Sequence, residues 1–161
     1  VIDKISNNLA KICVNKSIKI TAAESCTGGG VAFELTKIPG SSLWFERGFV
    51  TYSNLAKIQM LGVNEQSIDQ FGAVSEEIAK QMAEGALKAS SATVSLSITG
   101  IAGPEGGSLE KPVGTCWFAW SGAAFETLAK QKIFVGDRNS VRSQAILFSL
   151  KKLLQLIESH Y

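Results

Sequence analysis

Histidine is nearly missing from this chain of 161 residues: the single one is His160, beside the C-terminus, where chains fray. A Ser-His-Asp or Cys-His site would have to recruit that tail residue as its base, and a histidine-rich metal site is excluded. Cysteine is scarce as well. Cys13, Cys26 and Cys116 are odd in number and form no C-x-x-C pair, which argues against a disulfide framework and a structural zinc site and fits a reducing cytoplasm. No apolar run is long enough to cross a bilayer. Val1 to Lys11 mixes charges and carries no signal-peptide pattern, so a cytoplasmic location without a membrane partner is the expectation. The chain opens on valine, which fits a trimmed end. Net charge is only +2, and the basic residues are scattered apart from Lys151-Lys152, which reads as a solvated helix face. No electrostatic footprint for nucleic acid follows. Repeats, low-complexity segments and linkers are absent.

What is present is a globular composition, 45% hydrophobic and 19% charged, in a length suited to one domain. Apolar residues at Ile2, Ile5, Leu9 and Ile12 have helical spacing over Ile2 to Val14. Ile18 to Ala23 reads as a strand, Glu24 to Gly30 as a tight turn, and Val31 to Leu35 as a helix broken by Pro39-Gly40. Phe49 to Tyr52 is β-branched and aromatic, hence strand. Ser53 and Asn54 are good N-caps for a helix Leu55 to Leu61 ended by Gly62. Ser75-Glu76-Glu77 opens a helix to about Ala89, and Thr93 to Ile98 is a strand. Val113 to Trp120 and Leu128 to Val135 read as two strands of a hairpin, and Asp137 caps a last helix to about Ile157. This order predicts an α/β fold with a mixed sheet covered by helices. Ligands in such folds bind beyond the carboxyl ends of the parallel strands, which would gather the loops at Ser25, at Tyr52-Ser53-Asn54 and at Gly100 to Gly107.

Ser25 sits where a strand meets a glycine-rich turn. From pattern alone a plain helix cap is the commoner use, and the glycines could equally cradle a phosphate at the helix N-terminus. The chemical reading is a nucleophile beside the N–H groups of Thr27, Gly28 or Gly29, which would hold an oxyanion. Lys57 lies in the first turn of a helix, where a cation is disfavoured by the dipole. Either it reaches out into water, or the dipole and burial turn it into a base. A free lysine titrates at about 10.4, and making it basic at neutral pH takes roughly 4 kcal/mol. The Tyr52 hydroxyl is either a wet rim group or a bridge between Ser25 and Lys57. Asn54 is as good a cap as a ligand. The loop at Gly100, Ala102 and Gly103 either lets backbone approach a ligand or simply turns. Arg138 and Arg142, four apart, suit phosphate but are also ordinary surface residues. Glu24 either anchors a hydrogen-bond network or holds a ribose. Cys26 has no histidine to activate it and reads as packing.

Five segments, in order, resemble one family. They are Thr21-Ala22-Ala23-Glu24-Ser25-Cys26-Thr27-Gly28-Gly29; Tyr52-Ser53-Asn54-Leu55-Ala56-Lys57 with Leu61-Gly62-Val63; Gly72-Ala73-Val74-Ser75; Thr99-Gly100-Ile101-Ala102-Gly103-Pro104 with Gly106-Gly107 and Lys111-Pro112-Val113-Gly114; and Phe134-Val135-Gly136-Asp137-Arg138 with Arg142. The family is the C-terminal domain of CinA, the competence/damage-inducible protein, and the resemblance runs from about Lys19 to Ile157. It implies a three-layer α/β/α sandwich and a homo-oligomer. It also implies hydrolysis of nicotinamide mononucleotide to nicotinic acid mononucleotide and ammonia, a step of pyridine-nucleotide salvage. Ser25, Tyr52 and Lys57 match the family's catalytic serine, tyrosine and lysine. Many relatives carry a further N-terminal domain, for which these residues leave no room. No cofactor or metal enters the implied reaction, and the one expected partner is a small nucleotide. The rival reading is a non-catalytic nucleotide-binding or regulatory module in which Lys57 stays charged as a phosphate ligand.

Overall fold

The computed structural model describes residues 1–161. Strands β1 (Ile20–Glu24), β2 (Phe45–Val50), β3 (Val94–Gly100), β4 (Thr115–Gly122) and β5 (Phe125–Ile133) form one sheet in the order β2-β1-β3-β4-β5. β1 runs parallel to β2 and β3, whereas β4 is antiparallel to both β3 and β5. The mixed sheet and its C-terminal hairpin are as expected. Helices α1 (Ile2–Lys16), α2 (Gly30–Thr36) and α6 (Arg138–His160) cover one face, and α3 (Asn54–Leu61), α4 (Glu65–Phe71) and α5 (Glu76–Lys88) cover the other, completing three layers. No helix is long and apolar enough to cross a membrane.

The sheet's period of two sorts its side chains between the layers. On β3, Val94, Leu96 and Ile98 join the main core with Phe118, Trp120, Leu9 and Leu150. Ser95 and Ser97 point the other way, and each hydroxyl donates to a carbonyl of α5: Ser95 to Ala83 and Ser97 to Ala79, both at 2.6 Å. Facing Ala79, Ala83 and Ala119, these short side chains let α5 lie close to the sheet while their hydroxyls stay bonded.

β1, β3, β4 and β5 shift by two or three residues at one end or the other from the expected bounds, and two further departures bear on the site. β2 starts at Phe45 and ends at Val50, so Tyr52 lies two residues past the strand and not at its end. Pairing with β1 dictates this: the ladder runs from Ile20↔Phe45 to Glu24↔Val50, and as an edge strand β2 tolerates the exposed Arg47 and Gly48. Helix α4 was not expected. Seven residues with Ile68 buried are too few to display a period, but Asn64 caps it by accepting from the Ser67 N–H at 3.0 Å.

α3 touches α5 at Gly85. A Cβ there would stand 2.0 Å from the Leu61 carbonyl oxygen. Glycine to alanine inside a helix ordinarily gains about 1 kcal/mol. Here the backbone clash reverses the sign, and Gly85→Ala is expected to destabilise by about 1–3 kcal/mol in urea unfolding.

Candidate active site

Because β1, β2 and β3 are parallel, their carboxyl ends share one edge. Ser25 directly follows β1, and Gly100 closes β3. The Ser25 N–H donates to Ile98 O at 3.0 Å, which extends the β1–β3 ladder by one rung and fixes the serine's height above the sheet. Ser25 caps no helix: the cap of α2 is Gly29, in the left-handed region at φ 97°. Gly28 is left-handed too, at φ 59°, and these two glycines let the chain turn back within four residues.

Two charged side chains clamp this turn. Glu24 is 1% exposed. Its carboxylate accepts from Thr27 Oγ1 at 2.7 Å and from the N–H groups of Val31 at 2.7 Å and Ala32 at 3.0 Å. An anion at the first turn of α2 meets the unpaired donors and the positive end of the dipole there. Each carboxylate oxygen has a partner within the turn and helix, so Glu24 anchors a hydrogen-bond network, the first of its two expected roles. From α6, Arg142 donates through Nε to Cys26 O at 3.1 Å and through Nη2 to Thr27 O at 3.3 Å. The expected phosphate ligand Arg142 is thus engaged behind the turn, drawn there by its bare carbonyls. The Gly28 N–H closes onto Ser25 O at 3.0 Å, which removes it from the expected oxyanion donors. The N–H groups of Cys26, Thr27 and Gly29 are left with no acceptor in the chain.

Lys57 is the fourth residue of α3, and its side chain turns inward, 1% exposed. Lysine is almost never buried without a partner. Its Nζ lies 3.1 Å from Ser25 Oγ, 3.0 Å from Thr51 O and 3.3 Å from Tyr52 O. Burial holds its pKa below the ordinary lysine value, opposed only by attraction to a Cys26 thiolate. As a neutral amine Lys57 keeps two N–H bonds for the two carbonyls, and its lone pair then faces Ser25 Oγ. The cap of α3 is Ser53, accepting from the Ala56 N–H at 3.0 Å. Asn54 is the first helical residue and lines the cavity instead.

Tyr52 does not bridge the pair. Its hydroxyl stands at the rim, 59% exposed over the residue, and accepts from Arg138 Nη2 at 2.9 Å. Its backbone carbonyl, one of the acceptors around Lys57, does the near work. Arg138 also donates through Nη1 to Gly103 O at 2.9 Å, tying the Tyr52 loop and the Gly100–Gly107 loop to the start of α6. The cavity holds about 210 Å³, with walls from Ser25, Cys26, Lys57, Asn54, Gly100 and Ala102. Tyr52 and Arg138 line it too, and Ala73, Val74 and Thr99 complete it; Thr99 Oγ1 donates to Ala73 O at 2.9 Å and holds that segment in place. Sequence reasoning gave these three no role, although the Gly72–Ser75 motif was the available signal. A groove of about 530 Å³ shares Ala102 and Arg138 and continues along Gly136, Asp137 and Asn139. A groove of about 510 Å³ between α3 and α5 contains none of these residues.

A serine and a buried lysine at the carboxyl edge of a three-layer α/β/α domain define the class of site. The model of the CinA C-terminal domain family matches residues 2–157, and the chain belongs to that family. It is 53% identical over 152 residues to the nicotinamide-nucleotide amidohydrolase PncC of Escherichia coli K12, covering 94% of this chain and 92% of that one. It is 50% identical over 138 residues to the protein of that name from Pseudomonas putida, covering 86% of each. The crystal structure of competence/damage inducible protein CihA from Agrobacterium tumefaciens superposes with a TM-score of 0.94 at 40% identity, covering 96% of this chain and 94% of that one.

The anchoring role of Glu24 is testable through stability alone. In Glu24→Gln an amide NH2 replaces one of the acceptors facing Thr27, Val31 and Ala32. Unfolding in urea is expected to show a loss of about 1.5–3 kcal/mol, and an unchanged midpoint would contradict the clamp.

Proposed function

We propose that this chain hydrolyses the carboxamide of nicotinamide mononucleotide, yielding nicotinic acid mononucleotide and ammonia, with Ser25 as nucleophile and Lys57 as base. The observation that carries the reading is the buried 3.1 Å contact between Lys57 Nζ and Ser25 Oγ. It is joined by 53% identity to a relative named for this hydrolysis.

In this mechanism neutral Lys57 takes the Ser25 proton as Oγ attacks the carboxamide carbon. The oxyanion turns to the free N–H groups at Cys26, Thr27 and Gly29, whose peptides the turn already holds in place. Arg142 binds the carbonyl of the Cys26–Thr27 peptide and so polarises the Thr27 N–H. Lys57, now an ammonium, protonates the departing nitrogen, and ammonia leaves. Water then attacks the acyl-serine, giving its proton to Lys57, which returns it to Ser25 Oγ as the acyl C–O bond breaks, and the acid departs as its carboxylate. The nucleotide phosphate occupies the adjoining groove at the start of α6, where Arg138 is the cation. Tyr52 and Asn54 flank the nucleotide between the two ends. No step calls for a metal or cofactor. The reaction serves pyridine-nucleotide salvage. A phosphate-binding lysine would have to stay charged, and burial pushes Lys57 the other way.

Ser25→Ala is expected to lower ammonia release by about a thousandfold or more with the melting temperature within a degree or two of wild type. In wild type kcat/KM is expected to climb with pH through the lowered Lys57 pKa and then level off, because the ammonium form cannot accept the serine proton. Turnover near wild type in Ser25→Ala, or a rate that falls across that range, would contradict the assignment.

A further inference from the structure

Cys26 and Cys116 meet beside the nucleophile. Gly100 is the register partner of Cys116 on β4, and Cys26 follows Ser25 at the end of β1, on the opposite flank of β3. With no side chain at Gly100 the two sulfurs fill the space above it: a Cβ there would lie 2.6 Å from Cys116 Sγ and 3.2 Å from Cys26 Sγ. Cys116 is fully buried, whereas Cys26 is 6% exposed and lines the cavity. We propose that these two cysteines form a redox-modification site, in which a hydroperoxide joins them reversibly as a disulfide and so disables the turn that carries Ser25.

The two thiols are unequal. The neighbouring Cys116 thiol holds the Cys26 pKa down, and Arg142 adds to the lowering; proximity to Cys26 and burial raise that of Cys116. Cys26 is therefore the attacking sulfur. Its thiolate breaks the O–O bond of the hydroperoxide, keeps one oxygen as a sulfenic acid, and releases an alkoxide that is protonated to the alcohol. The Cys116 sulfur then attacks Cys26 Sγ. The S–S bond forms, the S–O bond breaks, and hydroxide leaves with the Cys116 proton as water. The two sulfurs lose two electrons, which reduce the hydroperoxide to alcohol and water.

Closure has a mechanical consequence. β1 and β4 are separated by β3, two strand spacings of about 4.8 Å each, whereas bridged cysteines hold their Cα atoms at about 4.4–6.8 Å. The bond must draw the Cys26 backbone toward β4, taking Ser25 from Lys57. A displacement near 1 Å can cost about a hundredfold in rate, and a bridge formed under such tension is readily reduced. Cys13, buried in α1 with its pKa pushed up to about 12 by burial, is an internal control.

The test is to treat the intact protein with tert-butyl hydroperoxide and count thiols after denaturation. The three free thiols should fall by two, with a mass loss of about 2 Da and a single linked peptide pair, Cys26 with Cys116. These readouts stand apart from the substrate assignment. Ammonia release should fall at least roughly tenfold and return with dithiothreitol, while Cys116→Val, fully active before treatment, should form no bridge and keep its activity. Retention of all three thiols in wild type, a bridge to Cys13, or an equal dithiol-reversible loss in Cys116→Val would overturn the proposal.

Discussion

A lysine amine sealed from water is the constraint around which the site is arranged. Burying an ammonium costs several kcal/mol, and Lys57 is offered no carboxylate. Its polar neighbours are one hydroxyl and two carbonyls. The carbonyls are free because β2 stops at Val50: the Thr51 N–H still donates to Glu24 O at 2.8 Å, but the Thr51 and Tyr52 oxygens turn to Nζ. Thr51 Oγ1 is itself buried without a partner. Polar groups left short of partners beside a reactive site are where a fold departs from its own rules.

The nucleophile turn solves the complementary problem of holding backbone donors open. Glu24 takes the first N–H groups of α2 from one side, and Arg142 takes two carbonyls from the other. Opposite charges applied to opposite ends of the peptide dipoles fix the turn without occupying the N–H groups that face the reaction. β3 contributes by what it lacks. Gly100 gives room to the sulfurs of Cys26 and Cys116, and Ser95 and Ser97 let α5 close on the sheet, which supports the segment ending at Thr99.

Much of this was legible before any coordinates. Alternating strands and helices announced parallel strands with three loops on one edge, and a cation at a helix start marked Lys57 as out of place. Ser53, Asp137 and Ser75 are caps where the pattern put them. The roles of Glu24 and Arg142 were not legible in the same way. A carboxylate in an apolar strand serves a network or a ligand equally well on paper, and Arg142 finds its carbonyls 115 and 116 residues away. The Tyr52 hydroxyl went to Arg138 for the same reason, since a side chain's direction is settled by partners from distant elements. Helix α4 stayed hidden because seven residues show no period, and the Cys26–Cys116 contact depends on the β3–β4 register, which no local pattern encodes.

The reaction turns on the charge of one nitrogen, which can be measured without substrate. With lysine labelled at Cε, an NMR titration would follow each side chain, the Lys57 signal being identified by its loss in Lys57→Met. The Lys57 midpoint is expected clearly below those of the exposed lysines, leaving the amine neutral over the range in which it serves as base. A midpoint within their range would mean that Lys57 remains an ammonium, and the Ser25–Lys57 pair could not begin the reaction as described.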